Sequence, residues 1–249
     1  MVLAERAAAY GWIMTAVTAA SPLLDSSFAE KGRFGEDEFN GMASTRCSEL
    51  GYWNYFTPLL DYTDIRAYAD SIQRYVDQGL LAFPNELYYP IRLKPRGKNV
   101  LKVLRMIDLN PLVPVGLDVR DAAFAQLLLV WLASTPRQAL SVKDQVQAVQ
   151  NFKSAAHYDL KTVKIVPPTG KIMSVADATL EILAQMAQFC RDFPAEVTDV
   201  LAFQRAKFED AENRYAWKIR KQFGGGFVEK GLELARKRQE EAVREGAYV

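Results

Sequence analysis

The sequence predicts an α+β fold, with strands in its first half and helices in its second. Three observations carry this. Short β-rich segments at 88–93 and 103–109 precede residue 110. Helix-capping signals gather beyond residue 117. Strands and helices do not alternate as βαβ units would. Residues 1–117 read as a mixed strand, loop and helix part and residues 118–249 as a helical part, together a single domain over 1–249.

Residues 7–24 carry no charge. Against a signal peptide or a membrane span, Glu5 offsets Arg6, polar residues and alanines dilute the run, and Pro22 closes it. A buried segment fits better: a short helix with Leu3, Ala7 and Ala8 on one face, then a buried strand over 12–17. Residues 26–51 are rich in Gly, Glu, Ser and Asn and read as loop. Ile65, Tyr68, Ile72, Tyr75 and Val76 recur at helical spacing, with Gly79 as the C-terminal cap. The strand at 88–93 has an edge or bulge at Pro90. The strand at 103–109 ends at Asn110-Pro111.

Asp118 and Asp121 can cap a helix through Phe124, Leu127, Leu128 and Trp131, which is apolar on most faces and so buried. Ser141 with Asp144, and Ser174 with Asp177, have capping-box spacing. Pro167-Pro168-Thr169-Gly170 is a turn, and Phe193-Pro194 breaks one helix and starts the next. The last helix, 226–244, is charged and solvated, with a thin apolar side at Leu232, Leu234 and Ala235.

Charge and rare residues narrow the function. With 31 Lys+Arg against 30 Asp+Glu, there is no basic excess to hold nucleic acid or an anionic membrane. Cys47 and Cys190 are the two cysteines, too few and too far apart for a disulfide framework, so a reducing cytoplasm fits. His157 is the one histidine, which removes multi-histidine zinc sites; it reads as the end of a helix.

Several groups invite a chemical reading. Gly224-Gly225-Gly226 lacks the flanking Lys and Ser/Thr of a phosphate loop and reads as a joint between helices. Arg214, Tyr215, Trp217, Lys218, Arg220 and Lys221 mix cations with aromatics, but on a helix Trp217 would face the core and the cations water. Cys47 reads as a buried, inert thiol. Arg46 sits in a polar loop near Tyr52. Arg105 sits in the apolar stretch Val103-Leu104-Arg105-Met106-Ile107-Asp108, where a cation needs a partner or a ligand. That partner is either a carboxylate such as Asp108 or a bound carboxylate or phosphoryl group matched to the guanidinium fork.

The order of three motifs resembles bacterial glutamate–cysteine ligases. They are Ser44-Thr45-Arg46-Cys47-Ser48-Glu49-Leu50-Gly51-Tyr52, Glu86-Leu87-Tyr88-Tyr89-Pro90-Ile91-Arg92-Leu93-Lys94, and Arg105-Met106-Ile107-Asp108-Leu109-Asn110-Pro111. Ala19-Ala20-Ser21-Pro22 and Pro114-Val115-Gly116-Leu117-Asp118 are similar to that family too. The resemblance covers the C-terminal half of the family's catalytic unit. It implies part of a curved antiparallel sheet, like that of glutamine synthetase, followed by helices. It implies a chemistry as well: ATP, with Mg2+, phosphorylates the side-chain carboxylate of L-glutamate, and the amine of L-cysteine attacks the acyl phosphate to give γ-glutamylcysteine, the first step of glutathione synthesis. On this resemblance Arg46, Tyr52 and Tyr88 line the cysteine pocket, and Arg105 is catalytic, facing the phosphoryl oxygens.

Two departures from the pattern bear on metal. Val103 occupies a position where the family carries a metal-binding glutamate, and the link from Lys94 to Arg105 is shorter than the family's. The other family carboxylates belong to an N-terminal half, for which Glu36, Asp37 and Glu38 are a poor local substitute, since adjacent residues do not converge on one ion. The expectation is a glutamate–cysteine ligase chain incomplete by itself, with no metal ligands of its own. The alternative is a non-catalytic substrate-binding or interaction fragment that needs an N-terminal partner half or self-association.

Overall fold

The structure is a computed structural model describing residues 1–25, 38–51, 53–89, 91–96, 99–136 and 139–246. Two short helices open the chain, α1 (Val2–Tyr10) and α2 (Trp12–Thr18). The segment expected as a buried strand is therefore helical. Trp12 to Thr18 are all buried, so the sequence shows no period to separate the two states. In the helix the backbone donors of such a buried run find acceptors within the run itself. Both helices pack on the later helices α4 (Val119–Ser134) and α5 (Val142–Ser154), which puts Trp12, Ile13 and Met14 in the main core. Among the described residues no helix is long and apolar enough to cross a membrane.

Helix α3 (Ile65–Asp77) follows the predicted periodicity and starts on the Asp64 side chain, which accepts from the N–H groups of Arg66 and Ala67. It ends as predicted. Gly79 takes φ +71°, its N–H reaches the Val76 carbonyl, and the Leu80 N–H reaches that of Tyr75. This 6→1 and 5→2 pair is a Schellman cap, for which glycine is suited because it lacks a Cβ.

Among the described residues there are three two-stranded antiparallel ladders: β1 (Leu23–Leu24) with β2 (Glu38–Phe39), β3 (Ile91–Arg96) with β4 (Asn99–Leu104), and β5 (Lys164–Ile165) with β6 (Met173–Ser174). In the longest, Arg96 pairs with Asn99 and Ile91 with Leu104. The short stretch from Lys94 to Val103 thus lies within an antiparallel pair, with Val103 in the ladder opposite Arg92. The strand expected over 103–109 stops at Leu104, and Arg105 lies just beyond it. The ladder ends there because its partner strand begins at Ile91; Pro90, expected as an edge or bulge, lies outside the described residues.

The second half is helical as expected: α4, α5, α6 (Val175–Phe189), α7 (Ala195–Glu209), α8 (Tyr215–Phe223) and α9 (Phe227–Arg244). Asp118 caps α4 through the Arg120 N–H, and Ser141 with Asp144 closes a full capping box on α5. Ser174 caps α6 through the Asp177 N–H. The turn at 167–170 closes with the Gly170 N–H on the Pro167 carbonyl. Gly224–Gly226 joins α8 to α9.

Three expectations in this half change. Asp121 is not a cap: it is buried and paired with Lys207. His157 lies past the end of α5, bridged to Met42. At the N-cap of α8, Arg214 is buried and donates to the Tyr158 and His157 carbonyls, while Trp217 is half-buried and stacked on Tyr158 at 4.6 Å. The carbonyls at 157–158, the second of which also accepts from Trp217 Nε1, give that cation a reason to be inside.

Candidate active site

The turn that carries Arg46 is built from backbone first. The Ala43 and Ser44 N–H groups both donate to the Ala156 carbonyl, at 2.7 and 3.0 Å, fixing the turn to the end of α5. The Ser21 N–H donates to the Ala43 carbonyl, and the Thr45 N–H and Oγ1 both donate to the Ser21 carbonyl. The Cys47 N–H donates to Ser44 Oγ and the Ser48 N–H to the Ser44 carbonyl, so the turn has little freedom.

Asp108 ties this turn to the Arg105 segment. Its carboxylate accepts from the Ala20 N–H (2.9 Å), Ser21 Oγ (2.8 Å) and Ser44 Oγ (3.0 Å), and the side chain is buried. Burial raises its carboxyl above the ordinary range, against the pull of these three donors and of nearby Arg46. Asp108 is therefore spent on the serines. No other carboxylate among the described residues pairs with Arg105.

Tyr88 comes from the other side. Its N–H donates to Asn54 Oδ1, and Asn54 Nδ2 donates to the Glu86 carbonyl, which fixes the segment entering β3. The Arg105 guanidinium stands 5.6 Å from the Tyr88 ring centre, a cation–π contact. Arg92, on β3, is buried and donates to the Asn85 carbonyl (2.7 Å) and Oδ1 (2.6 Å). Its guanidinium is pushed below the ordinary range by burial and then by the charge of Arg105.

Arg46, Tyr88 and Arg105 meet at one narrow cleft, with room of about 30 Å3, lined by Arg46, Cys47, Trp53, Tyr88, Tyr89, Arg105 and Phe152. Tyr52 lies outside the described residues. Trp53, Tyr89 and Phe152 were not singled out from the sequence. Trp53 Nε1 donates to the Cys47 carbonyl, and its ring meets Phe152 edge-on at 5.1 Å. Cys47 is buried as expected, and desolvation followed by the charge of Asp108 pushes its thiol up to about 12, which disfavours the thiolate.

The cleft offers two guanidiniums on separate segments, a phenol and an apolar wall. That set suits a small ligand with a carboxylate or phosphoryl group and a compact side chain. It does not suit Mg2+. Among the described residues no group of three His, Cys, Asp or Glu side chains could hold a metal ion. Glu36 and Asp37 lie outside the described residues, and the side chains of Glu38 and Val103 are not described.

The fold is that of the glutamate–cysteine ligases. A solved glutamate–cysteine ligase from Francisella tularensis, in complex with AMP, superposes with a TM-score of 0.81 over 96% of this chain and 57% of its own, at 19% identity. A bifunctional glutathione synthetase from Pasteurella multocida gives a TM-score of 0.76 over 96% of this chain and 32% of its own, at 20% identity. No family model matches the chain.

In sequence the chain is similar to the glutathione biosynthesis bifunctional protein GshAB of Listeria welshimeri, 29% identical over 92% of this chain. It is also similar to the glutamate–cysteine ligase of Yersinia pseudotuberculosis, 30% identical over 52% of this chain. The resemblance read from the motifs is borne out by these relatives. The chain spans about a third of the length of each, 32% and 34%.

Proposed function

We propose that the chain is a partial catalytic domain, residues 1–249, of an ATP-dependent glutamate–cysteine ligase acting in the cytoplasm. Arg46 pairs with the carboxylate of L-cysteine, and Tyr52 and Tyr88 supply hydroxyls and ring faces to that substrate. Arg105 neutralises charge on the phosphoryl group that passes from ATP to L-glutamate. The observation that supports this most is the convergence of Arg46, Tyr88 and Arg105 in one cleft, with Arg105 lacking a carboxylate partner among the described residues. No step is assigned to a metal ion held by this chain. The test is ADP release from ATP and Mg2+ that depends on both L-glutamate and L-cysteine. ADP release that ignores the amino acids sinks this reading.

A second reading is favoured by the make-up of the cleft, two guanidiniums and aromatic rings with no carboxylate in its lining. On it the chain is a substrate-binding fragment completed by an N-terminal partner half or by another copy. It predicts amino-acid binding without turnover until the other half is added.

A further inference from the structure

We propose that Asp108 is a positioning residue whose carboxylate holds the Arg46 turn and the Arg105 segment at the spacing a two-ended ligand requires. The inference rests on the reading of the cleft given above and deepens it. Asp108 is three residues after Arg105, and Ser44 is two residues before Arg46. The Ser44 Oγ to Asp108 Oδ1 bond is therefore a short cross-link between the two arginine-bearing segments. The other oxygen, Oδ2, takes the Ala20 N–H and Ser21 Oγ, and Ser21 pairs by backbone with Ala43 and Thr45 on the same turn. One carboxylate thus ties its own segment to two others distant in sequence, 20–21 and 44, through three bonds of 3.0 Å or less.

The chemistry asks for a carboxylate here. All three partners can donate, and an ionised carboxylate is an acceptor at both oxygens. An amide could keep its oxygen on the Ala20 N–H and Ser21 Oγ only by turning its NH2 toward Ser44 Oγ, which reverses the cross-link to the Arg46 turn and strips all three bonds of their charge assistance. Asp108 does not line the cleft, so it acts through Arg46 and Arg105 and not on ligand. Charge-assisted bonds to buried donors are among the stronger ones, and misplacing a binding group by a fraction of an ångström weakens what it binds.

The experiment is a double-mutant cycle on L-cysteine affinity, with Asp108→Asn, Arg46→Ala and the pair, each checked for its melting transition. Asp108→Asn is expected to weaken binding about tenfold in the parent chain and to have no further effect beside Arg46→Ala. An equal loss in both backgrounds, or no loss in the parent chain, overturns the inference. Ser21→Ala, which removes one of the three bonds, covers the case in which Asp108→Asn fails to fold, and is expected to give a loss of about threefold in the same direction.

If the parent chain binds no L-cysteine, the ligase reading has failed and the cross-link is tested without ligand. Cys47, whose N–H is held by Ser44 Oγ, should then label with a thiol reagent about tenfold faster in Asp108→Asn, with Cys190 unchanged. Unchanged Cys47 labelling overturns the inference on its own.

Discussion

Lys207 Nζ lies 2.9 Å from Asp121 Oδ1, with both side chains almost fully buried at 1% and 2% exposure. The pair joins α7 to α4. Asp121 also accepts from Gln204 Nε2 and the Tyr215 hydroxyl, and Lys207 also donates to the Val17 carbonyl at the end of α2. Four helices therefore meet on one charged pair, away from the cleft.

Breaking that pair from one side should be costly. Lys207→Met leaves a buried carboxylate with neutral partners only, and is expected to lower unfolding free energy by about 3–5 kcal/mol in denaturant titrations. Arg205→Ala, which removes an exposed pair with Glu209 on the same helix, should cost about 0.5 kcal/mol or less.

The same lysine sets a pH dependence. Burial pushes the Lys207 ammonium down to about 8, while Asp121 pulls it the other way. Between that value and the ordinary lysine value of about 10.4, the unfolded chain holds the proton and the folded chain has released it. Stability from this group therefore rises with pH across about 8 to 10. The Cys47 thiol, kept protonated in the folded chain up to about 12, contributes a slope of the opposite sign above about 8.5, so the rise should be read as the difference in unfolding free energy between the parent chain and Lys207→Met, which should grow with pH across this window.

The capping box on α5 is the simplest local test. Ser141→Ala removes the acceptor for the Asp144 N–H and is expected to cost about 1 kcal/mol. Because α5 also carries Phe152 into the cleft, thermal melts of this variant should be followed by ligand titration, which should be unchanged.

Cys47 gives a prediction of silence. With its thiol buried and shifted up to about 12, it should not react with a thiol reagent at pH 8 until the chain unfolds. Rapid modification of the native chain at Cys47 would show that the Arg46 turn opens.

Many of the helix ends could be read from residues, because Gly79, Asp118, Ser141 and Ser174 act through local hydrogen bonds that depend on sequence spacing alone. The segment at 12–17 could not, because burial on all sides erases the period. The end of β4 depended on where β3 begins, and a strand's limits belong to its partner as much as to itself. At the site, Arg46, Tyr88 and Arg105 were found through motif resemblance, whereas Trp53 and Phe152 reach the cleft from segments about a hundred residues apart, with no local sign of it. Asp108 was legible only as a candidate partner for Arg105, since its serine donors come from two other segments.

The most direct test of the account is calorimetric titration of L-cysteine into the parent chain and into Arg46→Ala and Arg105→Ala. Saturable binding in the parent chain, weakened about tenfold or more by Arg46→Ala and much less by Arg105→Ala, is the predicted result. Equal affinity in all three chains would contradict it, and would leave the cleft with arginines that serve the fold alone.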